Sequence, residues 1–328
     1  MNYIIFGGSG FIGTHLIKLL KVKHPESKIY DVDIVMPGEE SVVPGVVEKI
    51  ENINYIRCDV RKHINIDISI SSDDVVFNLA AVHRTPGHAD YEYFETNIRG
   101  AENVTNWCEE KGINKIVFTS SIAPYGAAEE LKTEETLPTP NTPYGISKLI
   151  AEKIHEKWKC RDIKRQLLIV RPGIVYGKGE HGNMTRLYSG IKKHYFIYTR
   201  KDTIKACVYV KELVNFFLWA LDNHKEGIYN CTFEPAFTIE QICKSMKKAT
   251  SLNNYIPTLN GNILMFIAKI VGALGGKKIG IHPARVKKLM ISTNISGKKL
   301  EKSGYNFNWT LDESFKDWFN DCNKELLK

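Results

Sequence analysis

Two side chains that could transfer a proton lie four residues apart, at Tyr144 and Lys148. This spacing places both on one face of a helix. A tyrosine with a pKa of about 10 is a poor base at neutral pH, but a neighbouring ammonium group favours its phenolate. The Ser121 hydroxyl could hydrogen-bond the same substrate oxygen. We therefore predict that these three residues remove a proton from a substrate hydroxyl while its carbon gives up a hydride.

A hydride needs an acceptor, and the first thirteen residues, MNYIIFGGSGFIG, predict one. The apolar run Tyr3–Phe6 indicates a buried strand. Gly8, Gly10 and Gly13 follow at dinucleotide spacing, and Gly7, Gly10 and Gly13 fit a close variant of it. A helical pattern then begins at Phe11. Glycines let the backbone approach a pyrophosphate, and a helix N-terminus offers free N–H groups. The strand before and the helix after favour dinucleotide binding over a purely structural turn.

Acidic residues follow the predicted second and third strands. Asp33 lies 20 residues after Gly13, where a carboxylate can accept both ribose hydroxyls and repel a 2′-phosphate. This favours NAD over NADP. Asp31 is a competing candidate, and either could instead be an ordinary loop carboxylate. Asp59 follows the third strand and could accept a hydrogen bond from the adenine amino group.

The elements that position these residues alternate between strands and helices. This pattern predicts an α/β fold of the Rossmann type, a doubly wound parallel sheet whose ligand crevice lies at the carboxyl ends of its strands. The glycine turn, Asp33, Asp59, Ala80 and Ser121 all follow predicted strand ends. The six predicted strands are Tyr3–Phe6, Lys28–Val32, Asn54–Arg57, Val75–Leu79, Lys115–Thr119 and Leu167–Val170. A helix that carries Asn97 is predicted over Phe94–Lys111.

The second half of the chain is richer in helices. We predict a cofactor-binding domain over residues 1–177 and a smaller, mainly helical substrate lobe over most of residues 178–328, with the chain free to recross between them. Predicted helices include one from Val210 to Leu221, one opened by a capping box at Thr238 and Gln241, an apolar one over Asn260–Leu274, and two over Ala284–Ile291 and Leu311–Leu326.

The composition limits the classes of protein to which this chain could belong. The 328 residues carry a net charge of +8 with 43% hydrophobic and 25% charged residues, which is typical of a soluble globular protein. The charge suits an anionic substrate, a nucleic acid or an anionic membrane surface. Seven dispersed cysteines without zinc spacing predict reduced thiols, a cytoplasmic location and no metal site. We expect no signal peptide, because the first strand begins at once.

Together, these motifs resemble the extended short-chain dehydrogenase/reductase superfamily, in its NAD-dependent sugar epimerase/dehydratase branch. The matching segments span most of the first 180 residues. They are GGSGFIG at 7–13, CDV at 58–60, NLAAVH at 78–83, TNIRGAENV at 96–104, TSSIAPYG at 119–126, PYGISK at 143–148 and RPGIVYG at 171–177. The resemblance implies a bound NAD, an activated sugar as substrate, no nucleic-acid partner and a homodimer.

The resemblance also implies roles for individual residues. Ser121, Tyr144 and Lys148 would be catalytic, with Asn97 supporting them. Cofactor contacts would come from Gly7, Gly10, Phe11, Ile12, Asp33, Asp59, Val60, Leu79, Ala80, Ala81, Tyr144 and Lys148.

The chain departs from the family where substrates bind. Gly173 stands where many UDP-sugar epimerases have a substrate-binding Asn, and Lys205 replaces an Arg that often grips the diphosphate. A lysine pairs with phosphate as a point charge, without the bidentate fork. The sequence therefore does not decide which residues would contact a sugar nucleotide. The candidate substrate-binding residues are His83, Ser121, Asn183, Lys205 and Arg285.

With His83-Arg84 and GNMTRL at 182–187, these departures resemble a narrower group that modifies sugars of bacterial surface polysaccharides, O-antigen among them. Some members are similar to 4-epimerases of N-acetylhexosamine linked to polyprenyl diphosphate. The apolar 260–274 helix would suit a lipid-linked substrate at the inner face of a membrane. It is followed by the basic residues Lys277, Lys278, Arg285, Lys287 and Lys288. Alternatively, this helix packs within the second lobe.

We predict an NAD-dependent 4-epimerase of an activated sugar, carried by a nucleotide or a polyprenyl diphosphate. A 4-keto-sugar reductase consuming NAD(P)H would use the same three residues. A dehydratase is disfavoured, because Ile122 and Ala123 follow Ser121 where that chemistry usually needs an Asp-Glu pair. A binding protein that only senses the nucleotide would not need Ser121, Tyr144 and Lys148 together.

Overall fold

A seven-stranded parallel sheet carries the predicted chemistry. The computed structural model describes residues 1–40, 47–83, 87–266 and 290–327. The strand order is β11-β7-β5-β4-β1-β2-β3, with every pair parallel. These strands are β1 Tyr3–Phe6, β2 Ile29–Asp33, β3 Asn54–Arg57, β4 Val75–Asn78, β5 Lys115–Thr119, β7 Gln166–Pro172 and β11 Gly227–Cys231. The doubly wound parallel sheet that the sequence predicts is confirmed.

Apolar runs form the central strands because both faces of a parallel sheet are covered by helices. All four residues of β1 are buried, and Ile5 pairs with Asp31 of β2 and Phe77 of β4. One face packs into a core that includes Phe6, whose ring lies edge-on to Trp107. The helices of this region are α1 Phe11–Lys23, α2 Asp90–Tyr93, α3 Gly100–Glu110, α4 Pro143–Cys160 and α6 Val210–Asp222.

The helix predicted over Phe94–Lys111 differs from the observed one. Its first six residues, Phe94–Arg99, form a π-helix between α2 and α3. Asn97 in this π-helix is buried, and its amide bonds both backbone groups of Val82 and the hydroxyl of Ser147. The wider turn thus brings one polar side chain to the segment after β4 and to α4.

Most other predicted boundaries agree to within a few residues, but the helix predicted over Leu311–Leu326 ends at Asp321. Short strands outside the repeating pattern were missed. The seventh strand of the sheet, β11, is one of them. A 3₁₀ turn, Ala123–Tyr125, precedes β6 Ala128–Lys132. Further short strands are β8 Ile174–Tyr176, β9 Ile204–Lys205, β10 Cys207–Tyr209, β12 Phe237–Thr238 and β13 Thr293–Ile295. They form a four-stranded sheet, β12-β9-β13-β6, and a separate β8–β10 pair.

The remaining helices are α5 Asn183–Lys192, α7 Ile239–Ala249, α8 Lys298–Lys302 and α9 Leu311–Asp321. The predicted capping box opens α7, where Thr238 and Gln241 bond each other reciprocally. The predicted 260–274 helix is described only to residue 266, and most of Ala284–Ile291 lies outside the described residues, as does Arg285. None of the helices within the described ranges combines the length and apolar character that a bilayer crossing demands.

The fold divides into two compact units. The first comprises residues 1–126, 134–172 and 210–231, and contains the large sheet. The second comprises residues 127–133, 173–209 and 232–328. The chain passes between the units several times, and the assignment of residues 1–177 to the cofactor and most of 178–328 to the substrate stays a prediction.

Removing the Asn97 amide should destabilise the protein more than removing a comparable amide nearby. We expect Asn97→Ala to lower the free energy of unfolding by about 3 kcal/mol, because the buried Ser147 hydroxyl and the two partly buried backbone groups of Val82 lose partners. Asn103→Ala is the matched control, since Asn103 makes one bond, 2.7 Å long, to the Val60 carbonyl. We expect it to cost about 1 kcal/mol in urea unfolding. Equal losses would contradict the structural role assigned to the π-helix.

Candidate active site

The glycine turn between β1 and α1 has no room for side chains. Gly7 has a φ of +82°, and a Cβ there would lie 2.7 Å from the Ala80 nitrogen. A Cβ on Gly13 would lie 2.4 Å from the Gly8 carbonyl oxygen. The first contact lets the segment after β4 approach the turn, and the second lets α1 pack against it. Both positions therefore require glycine.

The N-terminus of α1 is open for an anion. Gly10 is its N-cap, the first turn contains no acidic residue, and no side chain in the described ranges caps it. Backbone N–H groups and the positive end of the helix dipole are what a pyrophosphate binds. The turn and this helix end thus fit a dinucleotide, with Gly7, Gly10, Phe11 and Ile12 as the predicted contacts.

Ser9 joins the two acidic residues of β2. Its backbone N–H donates to Asp33 at 3.2 Å, and its hydroxyl donates to Asp31 at 2.9 Å. Asp31 is 1% exposed, whereas Asp33 is half-buried at the strand end. Burial raises the pKa of the Asp31 carboxyl to about 7, with Ser9 opposing the rise. Burial also raises the pKa of Asp33, and the N–H groups of Val35, Ile34 and Ser9 lower it.

The position of Asp33 favours it over Asp31 as the ribose-binding residue, because its carboxylate lies at the strand end where the crevice is expected. Asp31 lies one pleat deeper, and its Oδ1 has no hydrogen-bond partner among the described residues. A Cβ on Gly8 would lie 2.3 Å from that oxygen. Asp31 therefore fixes the turn from below.

The other predicted cofactor-binding residues follow β3 and β4, and Asp59 among them is the one predicted to bind adenine. Both carboxylate oxygens of Asp59 accept bonds from Arg61, whose hydrogen bonds lower the pKa of Asp59. Val60 is buried, and its carbonyl accepts from Asn103. Ala80 lies against Gly7 as described above, and Leu79 and Ala81 flank it, half-buried. Contact of these residues with a cofactor stays a prediction.

Tyr144 and Ser121 come together as predicted from their positions. Tyr144 is the second residue of α4, which begins at Pro143 under a cap by Thr142, and Ser121 lies just after β5. Burial raises the pKa of Tyr144 to about 12, while a hydrogen bond with Ser121 lowers it. The phenolate, which is the form that accepts a proton, is therefore less populated at neutral pH in the unliganded protein than the Tyr144–Lys148 spacing alone predicts. The positive ring of an oxidised nicotinamide would supply the missing stabilisation of phenolate.

Lys148 lies one turn further along α4 and is 3% exposed. Its Nζ donates to the Thr119 carbonyl at 2.9 Å and lies 4.9 Å from the centre of the Phe118 ring. Burial lowers the pKa of Lys148 to about 8, and the charge of Glu152 raises it. The β5 strand end therefore fixes the ammonium group on the same helix face as Tyr144.

An ion pair that begins one helical turn after Lys148 was not predicted from the sequence. Glu152, four residues after Lys148, forms a bidentate pair with Arg171 at the end of β7. Ser120 also donates to Glu152, so the two neighbouring serines have different roles. The signal was present, because Tyr144, Lys148 and Glu152 repeat at intervals of four and must share a helix face.

The described candidate substrate residues belong to two compact units. His83 is exposed after β4, and Asn183 is exposed at the start of α5, where it bonds Arg186. Lys205 is 7% exposed, and its Nζ donates to the Ile291 carbonyl at 2.6 Å. Burial lowers the pKa of Lys205 to about 8. These residues lie in two separate units, and their contact with a substrate stays a prediction, as does that of Arg285.

No cluster of three His, Cys, Asp or Glu side chains with the geometry of a metal site occurs in the described part of the chain.

Comparison with known proteins agrees with the geometry. Residues 3–232 match the model of the NAD dependent epimerase/dehydratase family. N-acetyl-alpha-D-glucosaminyl-diphospho-ditrans,octacis-undecaprenol 4-epimerase of Escherichia coli O157:H7 is 29% identical over 321 residues, 95% of this chain and 92% of that protein. UDP-glucose 4-epimerase of Vibrio cholerae is 26% identical over 96% of this chain and 93% of its own.

Among solved structures, UDP-glucuronic acid 4-epimerase from Bacillus cereus in complex with NAD aligns over 99% of both chains. The TM-score is 0.74 and the sequence identity is 19%. This likeness is one of fold.

We expect Asp33→Ala to weaken NAD binding by about tenfold or more, and NADP binding less, because the change also removes repulsion of the 2′-phosphate. Calorimetric titration with each cofactor measures both affinities. Asp31→Asn is the matched control: it removes a charge two residues away, and the preference for NAD should persist. A preference lost in Asp31→Asn and kept in Asp33→Ala would assign the ribose to Asp31.

Proposed function

This chain belongs to the NAD dependent epimerase/dehydratase family, and we propose that it is an NAD-dependent 4-epimerase of a sugar carried on a diphosphate. The observation that carries the proposal is the placement of the Tyr144 phenol beside Ser121, with the Lys148 ammonium fixed one helical turn away. Two relatives that align over more than nine-tenths of both chains, each a 4-epimerase by its name, support 4-epimerisation in particular.

The three side chains suit a reaction that removes a proton and later returns it. Tyr144 accepts the proton of the C4 hydroxyl, Ser121 holds the same oxygen, and Lys148 stabilises the phenolate by its charge. Bound NAD would supply the oxidising power, taking a hydride from C4 and returning it to the opposite face. Tyr144 then gives the proton back to the sugar oxygen. Because both are returned, no second substrate is consumed.

We infer that the carrier is a polyprenyl diphosphate and that the product enters a surface polysaccharide. The relative that supports this acts, by its name, on a diphospho-undecaprenol sugar and aligns with 95% of this chain. The departures at Gly173 and Lys205 from the nucleotide-sugar pattern point the same way. Such a substrate would place the enzyme in the cytoplasm, at the inner face of a membrane.

An exposed apolar surface of the second unit supports this location. Residues 261–266 are helical, and Ile263 and Phe266, three residues apart on one face, are 52% and 65% exposed. Tyr255 is 83% exposed, and its neighbour Asn254 bonds the carbonyls of Ile191 and Lys192. Exposed aromatic and apolar side chains suit the surface of a lipid membrane. We refer to Ile263 and Phe266 as the apolar patch.

Tyr144→Phe should abolish turnover and leave NAD binding within about threefold of wild type, because only the proton-transferring hydroxyl is lost. Each protein is incubated with UDP-N-acetylglucosamine or with N-acetylglucosaminyl-diphospho-undecaprenol, without added reductant. C4 epimers should interconvert with no net change in NADH absorbance. A requirement for NADH or NADPH, consumed once per product, would make the enzyme a reductase. Full activity of Tyr144→Phe would refute its role as base.

Binding to vesicles tests the apolar patch. We expect Ile263→Ser/Phe266→Ser to lower partitioning onto phosphatidylglycerol-containing vesicles by about tenfold or more, since two apolar side chains lose burial. Ile163→Ser is the control, because Ile163 is 99% exposed in the first unit. Cosedimentation gives the bound fraction. Equal binding by both variants, or no binding by the wild type, would refute membrane contact.

That the chain forms a homodimer stays a prediction, which analytical ultracentrifugation would test.

A further inference from the structure

A complete ion pair is buried next to the site and is not used by the proposed mechanism. Nε of Arg171 lies 2.8 Å from one oxygen of Glu152, and Nη2 lies 2.6 Å from the other. The two side chains are 3% and 0% exposed. The Ser120 hydroxyl donates to the same carboxylate. All of these residues belong to the first unit.

The position of this pair needs an explanation beyond stability. Taking two charges out of water costs several kcal/mol per ion, so that a buried pair often stabilises a fold no better than apolar side chains of similar volume. The core here offers apolar neighbours, including Phe118 and Tyr125, whose ring lies 4.8 Å from the Arg171 guanidinium carbon. Charge at this place therefore points to an electrostatic role.

Lys148 is the group on which that charge acts. Glu152 follows it by one helical turn, and side chains at this spacing are neighbours. Burial disfavours the ammonium form of Lys148, and the Glu152 carboxylate favours it. Because the Thr119 carbonyl is neutral, the negative charge that offsets burial comes from Glu152.

The other titratable groups around the carboxylate are accounted for. On α4 these are Tyr144, Lys148 and His155; Arg171 pairs with it from β7, and Tyr125, in the 3₁₀ turn, contacts Arg171. Burial lowers the pKa of His155 to about 4 and raises that of Tyr125, so that both are neutral at pH 7. The Tyr125 hydroxyl donates to Asn230.

We propose that Glu152 is a positioning residue which, fixed by Arg171 and Ser120, keeps the Lys148 side chain charged and directed at the Thr119 carbonyl. Arg171 and Ser120 orient the carboxylate. This inference rests on the proposed function in one respect: a charged Lys148 assists the reaction only if Tyr144 is the base. The state of Lys148 itself does not depend on which sugar reacts.

The test is the pKa of Lys148, measured in the holoprotein by the ¹³Cε chemical shift of labelled lysine and assigned with Lys148→Met. In Glu152→Gln we expect this pKa to fall by about one unit or more, because a charge one turn away is removed. Glu152→Asp keeps the charge and should hold the pKa within about half a unit of wild type. No sugar is needed, so failure of the epimerase assay leaves this result intact.

A structural role gives a different pattern. In that case Glu152→Gln and Glu152→Asp would both lose stability while Lys148 titrates as in wild type, which would overturn the proposal. If Glu152→Gln alone does not fold, Glu152→Gln/Arg171→Met removes both buried charges and should fold, since apolar replacement of a buried pair is tolerated. Lys148 should still titrate at lower pH in it, and an unchanged pKa there would equally overturn the proposal.

Discussion

The structure depends on placing polar side chains of one helix where water is excluded. The inner face of α4 carries Tyr144, Lys148 and Glu152 toward the ends of β5 and β7, and each must find a partner there because an unpaired buried polar group is costly. The partners are Ser121, the Thr119 carbonyl and Arg171. The register between α4 and the sheet is therefore fixed by polar bonds as well as by packing.

The cofactor side of the sheet meets a similar constraint with backbone instead of side chains. Gly7 lies against Ala80 and Gly13 against Gly8, and β2 supports the turn through the bonds of Asp31 and Asp33 to Ser9. The two carboxylates differ in burial although they are two residues apart. The deeper one orders the turn, which leaves the one at the strand end available for a ligand. Similar residue types thus take separate roles because of depth alone.

Local patterns predicted the elements that repeat and left out those that depend on distant partners. Most strands of the large sheet up to β7 can be predicted because they are apolar runs in the sequence. The glycine turn, Tyr144 and Lys148 can be predicted because their spacings are fixed. β11 and the two-residue and three-residue strands exist only because of strands far away in sequence. The π-helix at Asn97 depends on Val82 and Ser147. The sequence shows Arg171 beside Pro172 and Gly173, but it does not predict the bond between Arg171 and Glu152.

The substrate side shows how backbone packing limits what a position can do. A Cβ on Gly173 would lie 2.7 Å from the Ala206 carbonyl oxygen and 2.9 Å from the Cys207 nitrogen. These are backbone atoms, so that no rotation of a side chain makes room for an asparagine. The adjoining Lys205 is buried on the Ile291 carbonyl. The departure at Gly173 thus has a physical cause, because the backbone of Ala206 and Cys207 occupies the space that an asparagine side chain would need.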